Sequence, residues 1–543
     1  MGIREKLGKE ILFFDGAMGT MLQKKGLKLG KMPEDLNIDN PEIIEEIHRL
    51  YVKSGADIIT TNTFGANRLK LEHSSYSQEE IIRSGINIAK KANPDGYVAL
   101  DIGPLGQLLE PLGVLPFEEA YEIFKEQIIL GEKYGADIII IETMVDIYEA
   151  KAAILAAKEN SSLPVICTVT FQEDKRMLTG TSILGAVTIL ESLGVDALGV
   201  NCSLGPKELI PIVDELLQYS KTPVIVQPNA GLPKMIGGNT VFDLSAEEYS
   251  SIMEDFAHKG ISIIGGCCGT DERFIKSIHD KLIDFSPVPR KIKPRSIIAT
   301  ATKCVDLDEG IKVIGERINP TGKKKLKEAL INNNMEYILR EAVTQKEKGA
   351  DILDVNVGLP EINESEVITG VVKEIQSIID LPLQIDSSDA GAIEAALRIY
   401  NGKAIINSVN GKAEIMDTIF KIARKYGACV VGLTLDENGI PSSAEERFKI
   451  AEKIVNTAEK YGIPKENLLI DCLVLTASAQ QKEVAETLKA ITMVREKLGV
   501  KTVLGVSNVS FGLPDRALLN RTFLTMALHS GLTTPILNPQ SEE

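Results

Sequence analysis

Gly135-Ala-Asp-Ile-Ile-Ile-Ile-Glu142 sets a pattern that the chain repeats. Its apolar run, 137–141, follows Gly-Ala-Asp and precedes a stretch of helical periodicity, which is how a buried parallel strand feeding a helix reads. Short runs of the same kind occur at 11–14, 57–61, 97–101, 164–168, 196–200, 223–227 and 261–264, making eight in the first half. Amphipathic segments such as 41–54, 118–134 and 246–258 lie between them. Eight strands alternating with helices predict a (β/α)8 barrel. The second half repeats the count, with runs at 312–316, 351–355, 381–385, 404–407, 429–433, 468–471, 502–506 and 535–537. The expected fold is α/β, with two (β/α)8 TIM barrels in tandem.

A chain of 543 residues is too long for one ordinary hydrophobic core, which agrees with two barrels. Ser286-Pro-Val-Pro-Arg-Lys-Ile-Lys-Pro-Arg295, rich in proline and base, marks a linker. The expected domains are residues 1–285, a linker over 286–310, and residues 311–543. The second barrel stops just past its last strand, where an eighth helix should begin, so this reads as the front portion of a longer polypeptide. The net charge of -16 and the lack of a long basic stretch argue against nucleic acid as a partner. No run approaches the roughly 20 apolar residues that cross a bilayer, and the charged N-terminus lacks the core of a signal peptide. Seven scattered cysteines argue against a disulfide framework and for a reducing, cytoplasmic setting.

Three of those cysteines fall at strand ends. Cys202 follows the sixth run, in Gly-Val-Asn-Cys-Ser-Leu-Gly, and Cys267 with Cys268 follows the eighth, in Gly-Gly-Cys-Cys-Gly-Thr. In a barrel of this kind the carboxyl ends of the strands form the active mouth. Three thiolates gathered there suit a catalytic zinc, which takes three protein ligands and leaves a fourth position open. A thiol substrate in that position would lose its proton at neutral pH. The rival readings are ordinary buried cysteines and a vicinal disulfide across Cys267 and Cys268. Asp15 follows strand one, Glu142 strand four, and Asn229 strand seven, at the same mouth.

Asp15-Gly-Ala-Met-Gly-Thr20, Thr61-Asn-Thr-Phe64, Gly199-Val-Asn-Cys202 and Gly265-Gly-Cys-Cys-Gly269 resemble the homocysteine S-methyltransferase family over about the first 285 residues. The resemblance implies Cys202, Cys267 and Cys268 as zinc ligands, with the homocysteine sulfur as the fourth. It also implies that Asp15 and Glu142 hold the amino-acid end of homocysteine. Gly16 and neighbouring backbone would shape the pocket, with Asn229 in the same binding set.

The second mouth holds no Cys/His cluster. It collects Glu316, Arg317 and Asn319 after strand one, Asp354 and Asn356 after strand two, and Asp386 with Ser387 after strand three. Asn407 and Asn410 end strand four, Asp471 ends strand six, and Asn508 follows strand seven. A ring of Asp and Asn suits a flat heterocycle with alternating donors and acceptors, such as a pterin. This set resembles the pterin-binding family from about residue 311 onward, and within it the methyltetrahydrofolate methyltransferases. Dihydropteroate synthases are the near alternative, but Asn356-Val-Gly-Leu-Pro360 stands where their phosphate-gripping Ser-x-Arg loop would be. The resemblance implies that Asp386 and Asp471 bind the guanidine-like edge of the pterin, with Asn407 beside them. It places Asn508 near N5, so that Asn508 and Asp471 would serve catalysis. Arg516, Lys323, Lys324 and Lys325 either meet the glutamate tail or form a solvated basic face.

Together the halves resemble the substrate modules of the cobalamin-dependent methionine synthase family. That implies methyl transfer from 5-methyltetrahydrofolate to homocysteine by way of cobalamin carried on a separate binding module. The carrier's Asp-x-His-x-x-Gly loop matches none of His48, His73, His258, His279 or His529. The alternative activity is a homocysteine methyltransferase using betaine or S-methylmethionine, with a separate pterin-dependent activity. A binding module without turnover is the non-enzymatic reading.

Overall fold

The computed structural model describes residues 2–27, 32–236 and 239–541. The chain forms two compact units, Met1–Lys293 and Pro294–Glu543. Each is an eight-stranded parallel barrel with interleaved helices.

In the first barrel the strands are Leu12–Phe13, Ile58–Thr60, Tyr97–Ile102, Ile138–Met144, Val165–Val169, Ala197–Asn201, Val224–Gln227 and Ile263–Ile264. Each pairs with its sequence neighbour, strand eight pairs with strand one, and a Phe14–Ile58 bridge closes the ring. The Gly-Ala-Asp repeat has a physical cause. Gly55, Gly135 and Gly349 take positive φ of 99°, 92° and 91°, which turns the chain out of a helix at no steric cost. Each following Asp then accepts the backbone N–H of the preceding strand. Asp57 takes Phe13 at 3.0 Å, Asp137 takes Val98 at 2.8 Å, and Asp351 takes Val313 at 2.9 Å. Three residues of local sequence thus start a strand and set its neighbour's register.

The barrel interior is an apolar plug built from alternate strand residues, among them Leu12, Ile58, Ala99, Ile140, Ile166, Ala197, Ile225 and Ile263. Helix Gln78–Ala92 begins with a capping box, Ser77 with Glu80, and helix Ala246–Lys259 with another, Ser245 with Glu248.

The second barrel is closed by Ile314–Ile318, Ile352–Val355, Leu383–Asp386, Ile405–Asn410, Cys429–Leu433, Leu468–Asp471, Lys501–Gly505 and Thr534–Leu537. Its plug includes Ile314, Ile352, Ile405, Val431, Leu469 and Val503.

The segment expected as a linker, 286–310, is structured on both sides. Arg290 is laced to the first unit by hydrogen bonds to the carbonyls of Leu217, Ser220 and Thr222, at 3.2, 2.7 and 2.9 Å. From Pro294 the chain belongs to the second unit. Ile297–Thr300 pairs antiparallel with Cys304–Asp306 and with Gly402–Lys403, across the amino-terminal end of the barrel. Ile298, Val305 and Leu307 join the plug of that barrel. Proline and charge in 286–295 masked this short apolar run, and one of its two strand partners lies about a hundred residues away.

Candidate functional sites

Above the first plug, the next inward residue of strands two to eight is polar or small: Thr60, Asp101, Glu142, Thr168, Gly199, Gln227 and Gly265. The lumen therefore changes from hydrocarbon to a polar floor within two residues. Around it the loops after strands six and eight bring the cysteines together. Cys202 and Ser203 both hold φ of 56°, and Cys202 N–H bonds the Gln227 carbonyl at 3.0 Å. Cys267 N–H bonds the Pro228 carbonyl at 2.8 Å, and Thr270 Oγ1 donates to the Cys267 carbonyl at 2.7 Å. Two loops separated by strand seven are thus pinned to that strand's end.

The three sulfurs lie within 4.8 Å of one another, with Cys202 Sγ 3.9 Å from Cys268 Sγ. Thiolates on a tetrahedral zinc at about 2.3 Å sit about 3.8 Å apart, so this spacing fits the metal. All seven cysteines are free thiols, Cys267 and Cys268 included. The electrostatics agree. Hydrogen bonds from Cys267 and Cys268 hold Cys202 down at about 3, the contact with Cys202 and then burial push Cys268 up to about 12, and the contacts with Cys202 and Cys268 together with burial push Cys267 well above its ordinary value. A cation bound among the three sulfurs would favour their thiolate forms.

Asp15 is buried, accepts Thr60 N–H at 2.8 Å, and is pushed up to about 7 by loss of solvent. Glu142 is pushed up to about 8, first by burial and then by the charges of Asp15 and Cys202. Gly16 packs so closely that a Cβ would lie 2.8 Å from Thr270 Oγ1 and 2.9 Å from the Tyr51 ring. Asn229 donates to Cys202, leaving its own Oδ1 without a partner. Sequence reasoning missed Asp101, Gln227 and Asn201. Asp101 Oδ1 and Gln227 Oε1 are buried acceptors with no donor. Asn201 donates to Thr143 Oγ1 at 2.8 Å and accepts Thr143 N–H at 2.9 Å and Thr168 Oγ1 at 2.8 Å, bracing the strand end before Cys202. The period-two alternation from Ala99 and Ile225 was the available signal. The whole pocket is thus rich in unfilled acceptors and asks for a donor-rich, cationic ligand.

In the second mouth, Glu316, Asp354 and Asp471 follow inward plug residues by two. Asp354 accepts Gln384 Nε2 at 2.7 Å and is raised by burial and then by Asp386. Asp386 is raised to about 6 by burial, opposed by a hydrogen bond from Asn356, and Asn319 approaches it at 3.4 Å. Asn407 pairs in register with Asp386 across the strands. Asp471 is buried, accepts Leu473 N–H at 2.7 Å, and is raised to about 7 by desolvation. Glu316 accepts Ser507 Oγ at 3.1 Å.

Two predicted residues stand apart. Asn508 is exposed on the short helix Val506–Ser510. Arg516 is exposed and turned back on that helix, donating to Ser510 Oγ at 3.0 Å and the Ser507 carbonyl at 3.2 Å, with its guanidinium 4.9 Å from the Phe511 ring. Lys323 is also engaged, by the carbonyls of Glu316 and Asn319. Gln384 and the fully buried Arg447 were missed, since neither lies in a recognisable motif.

Fold and sites define two known classes of domain: residues 12–282 match the homocysteine S-methyltransferase family and residues 315–538 the pterin binding enzyme family. The chain belongs to both, one barrel to each. It is homologous to methionine synthase along nearly all its length. The methionine synthases of Mycobacterium tuberculosis (strain ATCC 25618 / H37Rv) and Mycobacterium leprae (strain TN) are each 31% identical, over 568 and 575 residues and 98% of this chain. The chain spans 48% of each of those proteins, about half the length of the curated relatives it matches. The crystal structure of the homocysteine methyltransferase MmuM from Escherichia coli, metallated form, is 22% identical and covers 50% of this chain and 96% of its own, with a TM-score of 0.44. No helix among the described residues is long and apolar enough to cross a membrane.

Proposed function

We propose that the two barrels are the substrate modules of a 5-methyltetrahydrofolate–homocysteine S-methyltransferase, a methionine synthase. The observation that carries this is the convergence of three cysteine sulfurs within 4.8 Å beside a pocket of buried, unfilled acceptors. Cys202, Cys267 and Cys268 would hold zinc, whose Lewis acidity lowers the pKa of an incoming homocysteine thiol. The chain's own residues do the rest. Asp15 and Glu142 accept the substrate ammonium, and Asn229 keeps the Cys202 side chain in place. Burial excludes water and strengthens each of these contacts. The ammonium's arrival favours the ionised forms of Asp15 and Glu142, so binding releases protons held by those carboxyls near neutral pH.

In the second barrel, Asp354, Asp386, Asp471 and Asn407 recognise the pterin edge of 5-methyltetrahydrofolate, with Glu316 and Asn356 completing the wall. In this reading Asn508, exposed on its short helix, donates a hydrogen bond to N5 of the bound ring. Arg516 braces the short helix that carries Asn508. A separate binding module would hold cobalamin, which would supply the methyl relay between the two substrates that these barrels bind. Free thiols throughout suit a reducing compartment, and we place the activity in the cytoplasm.

The test is methyl transfer from free methylcobalamin to homocysteine, followed by the cobalamin spectrum, with and without a zinc chelator. Methionine formation that the chelator abolishes is the expected result. A zinc-loaded protein that forms none would remove this reading of the first barrel.

A further inference from the structure

Arg447 has no solvent exposure, although a guanidinium is among the costliest groups to bury. It sits in the first turn of helix Ala444–Lys460, which joins strands five and six of the second barrel. Its Nε donates to the Pro441 carbonyl at 2.8 Å, in the loop leaving strand five. Nη1 donates to the carbonyls of Cys472 and Leu473, at 3.0 and 2.8 Å, just past strand six, and to Thr487 Oγ1 at 2.6 Å. Nη2 faces Glu483 at 3.4 Å. Thr487 Oγ1 in turn donates to the Leu473 carbonyl at 3.0 Å. One planar fork therefore gathers two mouth loops and helix Gln481–Met493.

What it holds matters for the site. Leu473 has φ of 55°, a left-handed conformation that a leucine keeps only where its surroundings impose it. The N–H of that residue is the donor to Asp471 Oδ1 at 2.7 Å. The Asp471 carbonyl is fixed separately, by Thr434 N–H at 3.0 Å. The Asp471 carboxylate is thus held by the Gly505 backbone on the strand-seven side and by Leu473, whose carbonyl Arg447 and Thr487 grip, on the other.

We propose that Arg447 is a positioning residue for pterin recognition, fixing the Cys472–Leu473 turn and through it the aim of the Asp471 carboxylate into the mouth of the second barrel. The inference rests on the reading of Asp471 as a pterin ligand. Lysine is no substitute, because a single ammonium cannot reach Pro441 on one side and Leu473 on the other.

The experiment measures binding of 5-methyltetrahydrofolate to the full chain by calorimetry. The variants are Arg447→Lys, Thr487→Val, Asp471→Asn, and each of the first two combined with the third. Arg447→Lys should weaken binding about tenfold or more, and Thr487→Val by a smaller factor, since misplacing a recognition group costs affinity steeply. Asp471→Asn keeps an oxygen for Leu473 and loses one charged contact, so its affinity stays measurable. On that background neither Arg447→Lys nor Thr487→Val should cost anything more, because no carboxylate is left to aim. Additive losses in the double variants would mark Arg447 as a plain structural staple and overturn the proposal, as would full affinity in both single variants. If a thermal scan shows Arg447→Lys unfolded, the Thr487→Val cycle decides alone. Methylation of homocysteine by free methylcobalamin, which belongs to the first barrel, should be unchanged throughout. A wild-type chain that binds no 5-methyltetrahydrofolate would remove the reading of the second barrel, and this inference with it.

Discussion

Cys267 shows how much one residue decides. Its amide is bonded to Pro228, its carbonyl to Thr270, and its sulfur completes the triad with Cys202 and Cys268. Cys267→Ser removes one soft ligand and leaves those backbone contacts in place. Bound zinc, counted by elemental analysis after gel filtration, should fall from one per chain to well below that, and methyl transfer to homocysteine should fall with it. Binding of 5-methyltetrahydrofolate should be unaltered, since the second barrel holds none of these sulfurs. Full zinc occupancy in the variant would count against the triad as the metal site. The motif Gly-Gly-Cys-Cys-Gly made this residue legible from sequence. Asp101 was not legible, because its meaning lies in an orphaned oxygen that only the folded lumen creates.

Helix Pro41–Lys53 was legible as an element, from its apolar period and its proline at the first turn. What it carries was not. His48, on its inner face, is fully buried and neither ring nitrogen has a hydrogen-bond partner. Burial lowers it from 6.5 to about 4. The folded form therefore holds His48 neutral over a range in which the unfolded chain protonates it. Its contribution is full above pH 6.5 and is lost as the pH falls toward 4, up to about 3 kcal/mol. Asp15 and Glu142 act with the opposite sign, since their raised values favour the folded form as pH falls. The comparison must therefore be made between variants. Urea midpoints of the wild type should drop more steeply between pH 6.5 and 4 than those of His48→Leu. Parallel curves would show that His48 does not set this slope.

At the scale of the whole molecule, the division into two units suggests where the chain can be cut. Ile297, Ile298, Ala299, Val305 and Leu307 are buried in the second unit. A fragment of residues 294–543 should fold and bind 5-methyltetrahydrofolate. A fragment of residues 311–543 strips those side chains from the barrel's end, a loss of several kcal/mol at about 25 cal/mol per Å². It should melt at a clearly lower temperature by circular dichroism, and equal melting of the two fragments would contradict the role assigned to those strands. The amino-acid sequence by itself determined the sixteen barrel strands, the two mouths and the three cysteines, because each is written in local patterns: apolar runs, Gly-Ala-Asp starts and short cysteine motifs. Only the tertiary structure decided that 297–306 belongs to the second barrel, that Asp101 and Gln227 lie unpartnered in the first lumen, and that Arg447 holds the turn behind Asp471. Those facts depend on partners distant in sequence, and hydrogen bonding and burial between distant segments leave no period in the chain for a reader to find.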